Sequence, residues 1–293
     1  MGRTGIAIAK EECMPLGPEK DLWERLLERV SSLGSVLVAF SGGADSALLL
    51  KAASEALGGK AAAATAEAPI FPERERLSAV RLAGKIGVRH RLFEFAVMEI
   101  EEFRANGPER CYHCKRVMAL ELASLARSEG LAAVAEGTNA DDLNDYRPGI
   151  RAAREARLVS PLAEIGMGKA DVRRLSRALE LETWDRPSRA CLASRIPYGK
   201  AITLESLRRV DRAEEILEQA GIRQARVRDH DGSARLEVPP EHMPRVIDRD
   251  FRESLVAGLR ELGFRHVSLD LEGYVSGSLN RGLPNQTKGK TGS

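Results

Sequence analysis

The sequence predicts an α/β protein, with helices on both faces of a parallel sheet and a smaller C-terminal α+β domain. Up to about residue 190, short apolar segments alternate with helical segments, which is the pattern of βαβ units. After Pro197 the pattern changes to two strands around the turn HDGS, a hairpin signal. Hydrophobic residues make up 43% of the chain and charged residues 30%, a globular balance that argues against disorder throughout.

The elements of the parallel sheet follow from apolar periodicity. Helical spacing of leucines covers 21–33, and the segment SVLVAF at 35–40 predicts a buried strand entering a glycine turn. The later elements are helices over 44–57, 73–86, 111–129 and 169–179, and strands over 61–66, 90–96, 131–136 and 182–185. The motifs SGGADS, TAEAP and GTNADD follow the first, second and fourth strands. Because ligands bind beyond the carboxyl ends of such strands, these motifs predict the binding site.

The second domain has a different pattern of elements. We predict helices over 203–220 and 243–262 and strands over 225–229, 234–238 and 267–271. The domains are then a flexible arm at 1–20, a first domain at 21–195, a second at 196–277 and a polar tail, expected to be disordered, at 278–293. A small domain that contains a hairpin also favours a homo-oligomer.

Composition and charge exclude several classes of protein. The 293 residues hold 45 basic and 43 acidic side chains, so no strong overall charge attracts a partner. The segment from Arg147 to Arg212 has 15 basic and 8 acidic residues, a net charge of +7. This excess indicates either solvated helix faces or a phosphate-binding groove. No apolar run approaches the ~18 residues of a membrane span, and the N-terminus lacks a secretory signal. With four cysteines, we expect a cytoplasmic protein with reduced thiols and no membrane partner.

The segment SGGADS indicates a phosphate-binding loop between a strand and a helix. Gly42 and Gly43 allow a tight turn and a close approach of the backbone to a ligand. Amides at the start of the next helix, with the hydroxyls of Ser41 and Ser46, favour an anion. Asp45 would repel a phosphate unless a cation such as ATP-bound Mg²⁺ lies between them. A simple strand–turn–helix connection accounts less well for this combination.

The segment VLVAFSGGADSALLL resembles the PP-loop of the ATP pyrophosphatase superfamily, whose pattern is SGGxDS. The resemblance implies an adenine nucleotide alpha hydrolase-like fold and ATP cleavage between the α and β phosphates, with adenylation of a substrate oxygen and release of pyrophosphate. The superfamily includes NAD, GMP and asparagine synthetases and tRNA thiolases. The loop therefore indicates the activation chemistry and leaves the acceptor open.

Three cysteines are candidates for chemistry. Cys111 and Cys114 form a CxxC pair at the start of a predicted helix, and Cys191 lies near the domain boundary. A CxxC pair can be a redox dithiol, part of a zinc site that also uses His113, or part of an iron–sulfur site. Three thiolates without an obvious fourth ligand favour a 4Fe–4S cluster with one open iron. Cys13 lies in the arm, and we assign it no role.

The motifs RCYHCK, EGTNADDLNDYRPG and RPSRACLASRIPYG, together with the phosphate loop, resemble the ATP-dependent sulfur transferases that build the nickel-pincer nucleotide of lactate racemase. The resemblance covers about residues 20–275. It implies that the carboxylates of pyridinium-3,5-biscarboxylic acid mononucleotide are adenylated and converted to thiocarboxylates. Some members sacrifice the sulfur of the cysteine that matches Cys191. Others hold a 4Fe–4S cluster on cysteines that match Cys111, Cys114 and Cys191, and we expect this variant, with sulfide or another donor as the sulfur source.

Other candidate residues follow from position. The PP-loop resemblance implies that adenine is held at the end of the second strand, near Thr65 and Glu67. At the end of the fourth strand, Gly137 and its neighbour Thr138 lie where a ribose could approach. Asp141 and Asp142 would bind a metal or cap a helix. The residues predicted to hold a substrate phosphate are Arg189, Ser194, Arg195, Arg226 and Arg228. Glu214 and Glu237 are either Mg²⁺ ligands between protomers or ordinary surface carboxylates.

Two other functions compete with sulfur transfer to a small pyridinium nucleotide. A tRNA thiolase would also use a PP-loop and three cysteines. The sequence shows no RNA-binding appendage, and its 4% aromatic content is low for base stacking. We therefore expect a small-molecule substrate and no stable nucleic acid. A non-catalytic nucleotide-binding module would not require Asp45 together with three thiols.

Overall fold

The computed structural model describes residues 17–144, 148–187, 190–275 and 277–282. It divides into two compact units, each made of several chain segments. Unit 1 consists of the described residues within Met1–Glu67, Arg74–Glu94 and Lys115–Ser188. Unit 2 consists of the described residues within Ala68–Glu73, Phe95–Cys114 and Arg189–Ser293. The two contiguous domains expected from the sequence stay a prediction.

The regular elements alternate along the first part of the chain. The helices are α1 (Pro18–Ser31), α2 (Ala44–Leu57), α3 (Glu73–Ile86), α4 (Glu101–Arg104), α5 (Arg110–Ser128), α6 (Pro148–Glu155), α7 (Pro161–Glu164), α8 (Lys169–Ala178), α9 (Leu204–Gln219), α10 (Met243–Ile247) and α11 (Arg249–Glu261). The strands are β1 (Val36–Ala39), β2 (Ala61–Glu67), β3 (Arg89–Glu94), β4 (Ala133–Ala135), β5 (Arg226–His230), β6 (Ser233–Glu237) and β7 (His266–Leu269).

The sheet of unit 1 is parallel, in the order β3-β2-β1-β4. Alanine is a weak strand former, yet the AAAATAE segment of β2 forms a strand because it pairs with β1 on one side and β3 on the other. The ends of β1 and β2 therefore lie next to each other, as the binding-site prediction requires.

Helices pack on both faces of this sheet. Val36 and Val38 of β1 belong to the same apolar cluster as Trp23 of α1 and the buried leucines of α2. Leu37 points to the other face and shares a cluster with Leu122 of α5. This alternation confirms the predicted α/β architecture with helices on both faces.

Unit 2 contains a separate three-stranded sheet in the order β5-β6-β7. β5 and β6 form an antiparallel hairpin, and β7 pairs with β6 in parallel. Asp231 and Gly232 in the turn have φ of 53° and 83°, as expected of a tight hairpin connection. One face of the sheet packs through Val227 and Leu236 on the apolar sides of α9 and α11. The predicted smaller α+β sheet is therefore present.

Several elements differ from the sequence prediction. Residues 182–185 form turns rather than a strand. The predicted helix over 243–262 is divided at Asp248, whose side chain accepts a hydrogen bond from the Phe251 amide at 3.3 Å and so begins α11. The short helices α4, α6 and α7 were not predicted. Ser278–Gly282, at the start of the predicted disordered tail, forms a short 3-10 helix, and the rest of that tail and the arm at 1–16 lie outside the described residues.

No helix in the described part of the chain is both long enough and apolar enough to cross a membrane.

Candidate active site

The phosphate loop follows β1, and Gly43 is the N-cap residue of α2. Gly42 has φ of 74°, a conformation that side-chain-bearing residues rarely adopt. A Cβ atom at Gly42 would also lie 3.2 Å from the Cα atom of Ala79 in α3. The backbone therefore needs glycine at this position for its dihedral angles and for its contact with α3.

The two serines of the loop bond to each other and to the loop backbone. The Oγ atoms of Ser41 and Ser46 are 3.1 Å apart. Ser46 Oγ donates to the Gly43 carbonyl at 3.2 Å, and the Gly43 amide donates to Ser41 Oγ at 3.3 Å. Gly43, the N-cap residue of α2, has no side chain that could cap the helix. The first-turn amides of α2 can therefore donate to an anion.

Asp45 lies in the first turn of α2 and is mostly buried. Burial raises its pKa, and the nearby Asp142 carboxylate adds to that effect, while a 2.8 Å hydrogen bond from Asn139 Nδ2 opposes it. Asp142 in turn forms an ion pair with Lys169 at 3.0 Å. A buried carboxylate beside a second carboxylate is a favourable place for a cation, which would lower both electrostatic costs.

The GTNADD segment after β4 packs against the loop. A Cβ atom at Gly137 would lie 2.9 Å from the Ser46 amide nitrogen. Close packing against α2 therefore requires a glycine at position 137, in addition to any contact with a ribose. Asp141 accepts a 2.7 Å hydrogen bond from the Lys169 amide at the start of α8, so the helix-capping alternative for this residue is confirmed.

Glu136, which directly precedes this segment, forms an ion pair with Lys115. Burial alone would raise the pKa of Glu136, but the Lys115 ammonium and hydrogen bonds from Thr138 and Ser160 outweigh it and lower that pKa. Thr138 Oγ1 donates to Glu136 at 2.7 Å. The hydroxyl predicted to lie near ribose is therefore bonded to the protein.

Thr65, at the end of β2, is buried and joins β1 to β3. Its hydroxyl donates to the Phe40 carbonyl at 2.6 Å and lies 2.8 Å from His90 Nε2. Because the hydroxyl proton is used on Phe40, the neutral His90 ring must donate from Nε2. Burial lowers the pKa of His90. Glu67, the other strand-end candidate, forms an ion pair with Arg76 at 3.1 Å.

The three candidate cysteines all belong to unit 2. Cys111 and Cys114 lie in the first turns of α5, and Cys191 precedes the short 3-10 helix Leu192–Arg195. All three are thiols rather than disulfides. The pKa of Cys111 is raised by desolvation of its thiolate and then by the neighbouring Cys191, while Arg110 opposes the rise. Cys111 and Cys191, far apart in sequence, are therefore close enough to interact electrostatically.

The described residues contain no group of three His, Cys, Asp or Glu side chains already arranged to hold a metal ion. The donor set nevertheless suits an iron–sulfur cluster, because it consists of thiols, and Cys111 and Cys191 are close enough to interact electrostatically. His113, the fourth ligand of the zinc alternative, lies 4.0 Å from Glu102.

Asn106 connects the CxxC segment to the chain that follows Cys191. Its side-chain amide is completely buried and donates to the carbonyls of Ile196, Pro197 and Lys200 at 3.3, 2.8 and 2.8 Å. Its carbonyl accepts a hydrogen bond from buried Arg110. A side chain with four partners can hold both cysteine-bearing segments in place.

Arg110 lies between Asn106 and the thiols. Its guanidinium carbon is 4.7 Å from the centre of the Tyr198 ring, a cation–π contact. Burial raises the pKa of Tyr198, and Cys111 and Cys191 contribute to the rise while Arg110 opposes it. Arg110, Tyr198 and the two cysteines therefore form one cluster.

Two of the arginines predicted to hold a substrate phosphate, Arg195 and Arg228, are buried in ion pairs with glutamates. Arg195 binds both oxygens of Glu214 at 2.7 and 2.8 Å, and it donates to the Cys191 carbonyl at 3.3 Å. Arg228 binds both oxygens of Glu237 at 2.9 and 2.8 Å and also donates to the Ser194 carbonyl. Glu214 and Glu237 are thus buried partners of arginine, and the alternative that they are surface carboxylates is wrong.

The remaining phosphate candidates lie around the same segment. Ser194 Oγ donates to the Cys191 carbonyl at 2.9 Å. Arg226 is buried, with its guanidinium carbon 5.0 Å from the centre of the Tyr274 ring. Arg189 lies outside the described residues. The assignment of this group to a substrate phosphate stays a prediction.

Comparison with known proteins places the chain in a family, although no family model matches it. A Synechocystis protein of uncharacterised function is 44% identical over 260 residues, covering 89% of this chain and 97% of that protein. The pyridinium-3,5-bisthiocarboxylic acid mononucleotide synthase of Lactiplantibacillus plantarum is 35% identical over 256 residues, covering 87% of this chain and 92% of that enzyme. The chain belongs to the family of this synthase.

Membership of the synthase family confirms the resemblance to proteins of nickel-pincer nucleotide biosynthesis and supports a role as an enzyme. An uncharacterised Methanocaldococcus jannaschii protein is also similar, with 30% identity over 82% of this chain and 91% of its own length. Coverage of this extent includes parts of both units, so the family relation applies to the phosphate loop region and to the thiol region.

Sequence reasoning missed several residues of the site. Asn139 lies in the GTNADD motif, and its sequence position predicted no role for it, although its side chain donates a hydrogen bond to Asp45. Asn106 has φ of 55° and precedes a glycine, and this Asn-Gly pair was an available signal of an unusual backbone conformation. Arg186 has no local sequence signal, because its partners Gly42 and Ser78 come from distant segments. Arg110 bonds to Asn106, four positions before it, but its contact with the Tyr198 ring has no local signal.

Proposed function

We propose that this protein converts the carboxylates of pyridinium-3,5-biscarboxylic acid mononucleotide to thiocarboxylates at the expense of ATP. Family membership is the observation that carries the proposal, because the named relative is a synthase of pyridinium-3,5-bisthiocarboxylic acid mononucleotide. A thiocarboxylate differs from a carboxylate by one sulfur atom, so its synthesis requires activation of the carboxylate and a source of sulfur.

Activation is proposed to occur at the PP-loop, in an adenine nucleotide alpha hydrolase-like unit. The first-turn amides of α2 would bind the phosphates, and Asp45 would hold Mg²⁺ that bridges to them. A substrate carboxylate would attack the α phosphorus of ATP, giving an acyl adenylate and pyrophosphate. Adenine would lie at the ends of β1 and β2, near Thr65, and ribose near Gly137 and Thr138.

Sulfur delivery is assigned to the thiol cluster of unit 2. Cys111, Cys114 and Cys191 would hold a 4Fe–4S cluster, which would supply an open iron site that carries an exchangeable sulfide. Asn106 and Arg110 would keep the two cysteine-bearing segments in position. In the alternative mechanism, Cys191 gives up its own sulfur and becomes dehydroalanine. Electrostatic contact between Cys111 and Cys191 favours a role for more than one thiol.

The substrate phosphate is assigned to the arginine-rich segment around Cys191. Arg195 and Arg228 are held by bidentate pairs with glutamates, and both also donate to backbone carbonyls of the 191–194 segment, so their guanidinium groups would have fixed positions beside this segment. Arg189, Ser194 and Arg226 complete the proposed set. A cavity of about 440 Å³ in unit 2, lined in part by Tyr198, Arg235 and Ser278, has the size of a small-molecule site.

The reaction can be tested with purified protein, ATP, Mg²⁺, the biscarboxylate nucleotide and sulfide under anaerobic conditions. We expect AMP and pyrophosphate in equal amounts, and a product whose mass shows replacement of oxygen by sulfur. Formation of ADP and phosphate would contradict the activation step. Release of AMP without a sulfur-containing product would contradict the transfer step.

The sulfur source is tested by replacing single cysteines. Under the cluster mechanism, reconstituted protein absorbs broadly in the visible range, and Cys111→Ala, Cys114→Ala or Cys191→Ala removes most of that absorbance. Cys13→Ala is the matched control and should change nothing. Loss of the mass of H₂S from Cys191 after one turnover, with Cys111→Ala still active, would establish the sacrificial mechanism instead. Stoichiometric zinc without iron would contradict both.

A further inference from the structure

Arg186 is bonded to the phosphate loop from outside the SGGADS segment. Its Nη1 atom donates to the Gly42 carbonyl at 3.0 Å, and its Nη2 atom donates to Ser78 Oγ at 2.7 Å. Ser78 precedes Ala79, the residue of α3 that Gly42 touches. One guanidinium group thus joins the loop to the helix against which the loop packs, and all of these residues belong to unit 1.

The hydrogen-bond partners of Arg186 are both neutral. Two other cations near the site are paired with carboxylates, since Lys115 contacts Glu136 and Lys169 contacts Asp142. Within the described residues, no carboxylate forms an ion pair with Arg186. The charge of Arg186 helps to lower the pKa of Glu182, but the largest cause of that lowering is a 2.6 Å hydrogen bond from Lys85. Arg186 therefore brings a positive charge to the loop that no bonded carboxylate neutralises.

The contact with Gly42 also fixes the direction of a loop amide. In a planar trans peptide, the C=O of one residue and the N–H of the next point in opposite directions. A guanidinium on the Gly42 carbonyl therefore orients the Gly43 N–H and polarises it as a donor. Because Gly42 has φ of 74°, the loop would otherwise have several backbone conformations available.

We infer that Arg186 is a positioning residue of the phosphate loop, whose positive charge strengthens the binding of a polyphosphate there. The SGGADS loop contains no lysine, unlike the Walker A loop, in which a lysine reaches the phosphates. Pyrophosphate places two phosphate groups at the loop, whereas AMP places one, so the binding of pyrophosphate should depend more strongly on a positive charge held there. The inference rests on the proposed function, since it assigns the loop to ATP.

The test measures binding of Mg²⁺-pyrophosphate and of AMP to the full-length protein by calorimetry. Arg186→Gln should weaken pyrophosphate binding by about tenfold or more, which corresponds to ~1.4 kcal/mol, and should change AMP binding much less. Arg186→Lys keeps the charge and should recover most of the pyrophosphate affinity. Arg173→Gln is the matched control, because Arg173 is an exposed arginine of α8 in the same unit.

The outcomes separate this inference from the proposed function. Pyrophosphate affinity of Arg186→Gln equal to that of Arg173→Gln would overturn the inference even if the wild-type protein forms AMP and pyrophosphate. Wild-type protein that binds pyrophosphate in an Arg186-dependent way but makes no AMP would contradict only the proposed function. If thermal melting shows that Arg186→Gln does not fold, Arg186→Lys decides. A tenfold loss of affinity in folded Arg186→Lys would overturn the role of charge, and affinity within about threefold of wild type would support it.

Discussion

Asp45 is the residue whose surroundings are hardest to explain without a cation. Burial and the Asp142 carboxylate both raise the pKa of Asp45, and the Asn139 hydrogen bond offsets only part of this. Asp142 is itself paired with Lys169, so the raised pKa of Asp45 comes first from the burial of its own carboxylate. A metal ion held by ATP would offset the free-energy cost of burying the charged Asp45 carboxylate.

Replacing Asp45 by Asn should nearly abolish the formation of AMP and pyrophosphate, because Mg²⁺ loses its anionic partner at the loop. The fold should be retained, since Asn keeps the shape and can still bond to Asn139. Product analysis by chromatography and thermal melting together check this. Asp250→Asn, at an exposed position in the first turn of α11, is the control. Turnover of Asp45→Asn close to that of the control would contradict the assignment of Asp45.

His90 makes stability depend on pH near neutrality. Its pKa is lowered in the folded protein by burial, so the unfolded chain binds a proton at about pH 6.5 and the folded chain binds it only at lower pH. The free energy of unfolding should therefore fall as pH decreases below about 6.5, until the folded ring also titrates. Denaturant unfolding of wild type and His90→Gln between pH 8 and pH 5 measures this. An equal pH dependence in both proteins would contradict the role of His90.

Residues of the loop could be predicted from sequence because their chemistry is local. Ser41, Asp45 and Ser46 lie within six positions and share one strand–turn–helix connection. Asn106 could not be assigned in this way, because it bonds to the Ile196 carbonyl, 90 positions away. Local patterns do not show which distant carbonyl a side chain will reach.

At the scale of elements, Gly42 and Gly43 of the loop are needed for different reasons. Gly42 has φ of 74° and touches α3, whereas a Cβ atom at Gly43 would meet only Ser41 Oγ, at 3.4 Å. The start of α2 therefore needs Gly42 for folding and has open space next to Gly43, where the proposed ATP phosphates would bind.

Gly43→Val should block ATP binding while leaving the fold nearly intact, because the branched side chain occupies the space at the start of α2. Gly42→Ala should instead lower the free energy of unfolding by ~1–2 kcal/mol, the approximate cost of a left-handed conformation for a residue with a Cβ atom. Calorimetry with ATP and denaturant unfolding distinguish the two. Unchanged ATP affinity in Gly43→Val would argue against a phosphate-binding loop.

Element prediction succeeded where periodicity was clear and failed where a tertiary contact decided the outcome. The continuous apolar run VLVA, followed by the glycine turn, was sufficient to predict the buried strand β1. The division between α10 and α11 depends on a single capping bond from the Phe251 amide to Asp248, inside a segment whose periodicity continues. Residues 182–185 have the composition of a short strand, but the structure gives them no strand partner within its described residues.

At the scale of the whole molecule, buried ion pairs make unit 2 sensitive to acid. Burial alone would raise the pKa of Glu214, but Arg195 outweighs it and lowers the pKa. A carboxylate with a lowered pKa contributes stability above its unfolded value of about 4.3, and that contribution is lost as pH falls through the folded value.

Glu214→Gln should therefore destabilise the protein at neutral pH, by ~3–5 kcal/mol, because Arg195 remains buried without a charged partner. It should also weaken the dependence of stability on pH below about 4.3. Unfolding monitored by circular dichroism from pH 7 to pH 3 tests both effects. Glu205→Gln, an exposed glutamate at the start of α9, is the control. A mutant as stable as this control would show that the pair contributes nothing.

The segmented construction of unit 2 has a consequence for synthesis of the protein on the ribosome. Cys111 and Cys114 are made before Lys115–Ser188, which belongs to unit 1, and Cys191 is made only afterwards. The carbonyls that Asn106 binds, at Ile196, Pro197 and Lys200, emerge later still. The nascent chain therefore carries Cys111 and Cys114 without Cys191 while residues 115–188, somewhat less than half of unit 1, are translated. The proposed iron–sulfur cluster could be loaded only near the end of translation or after it.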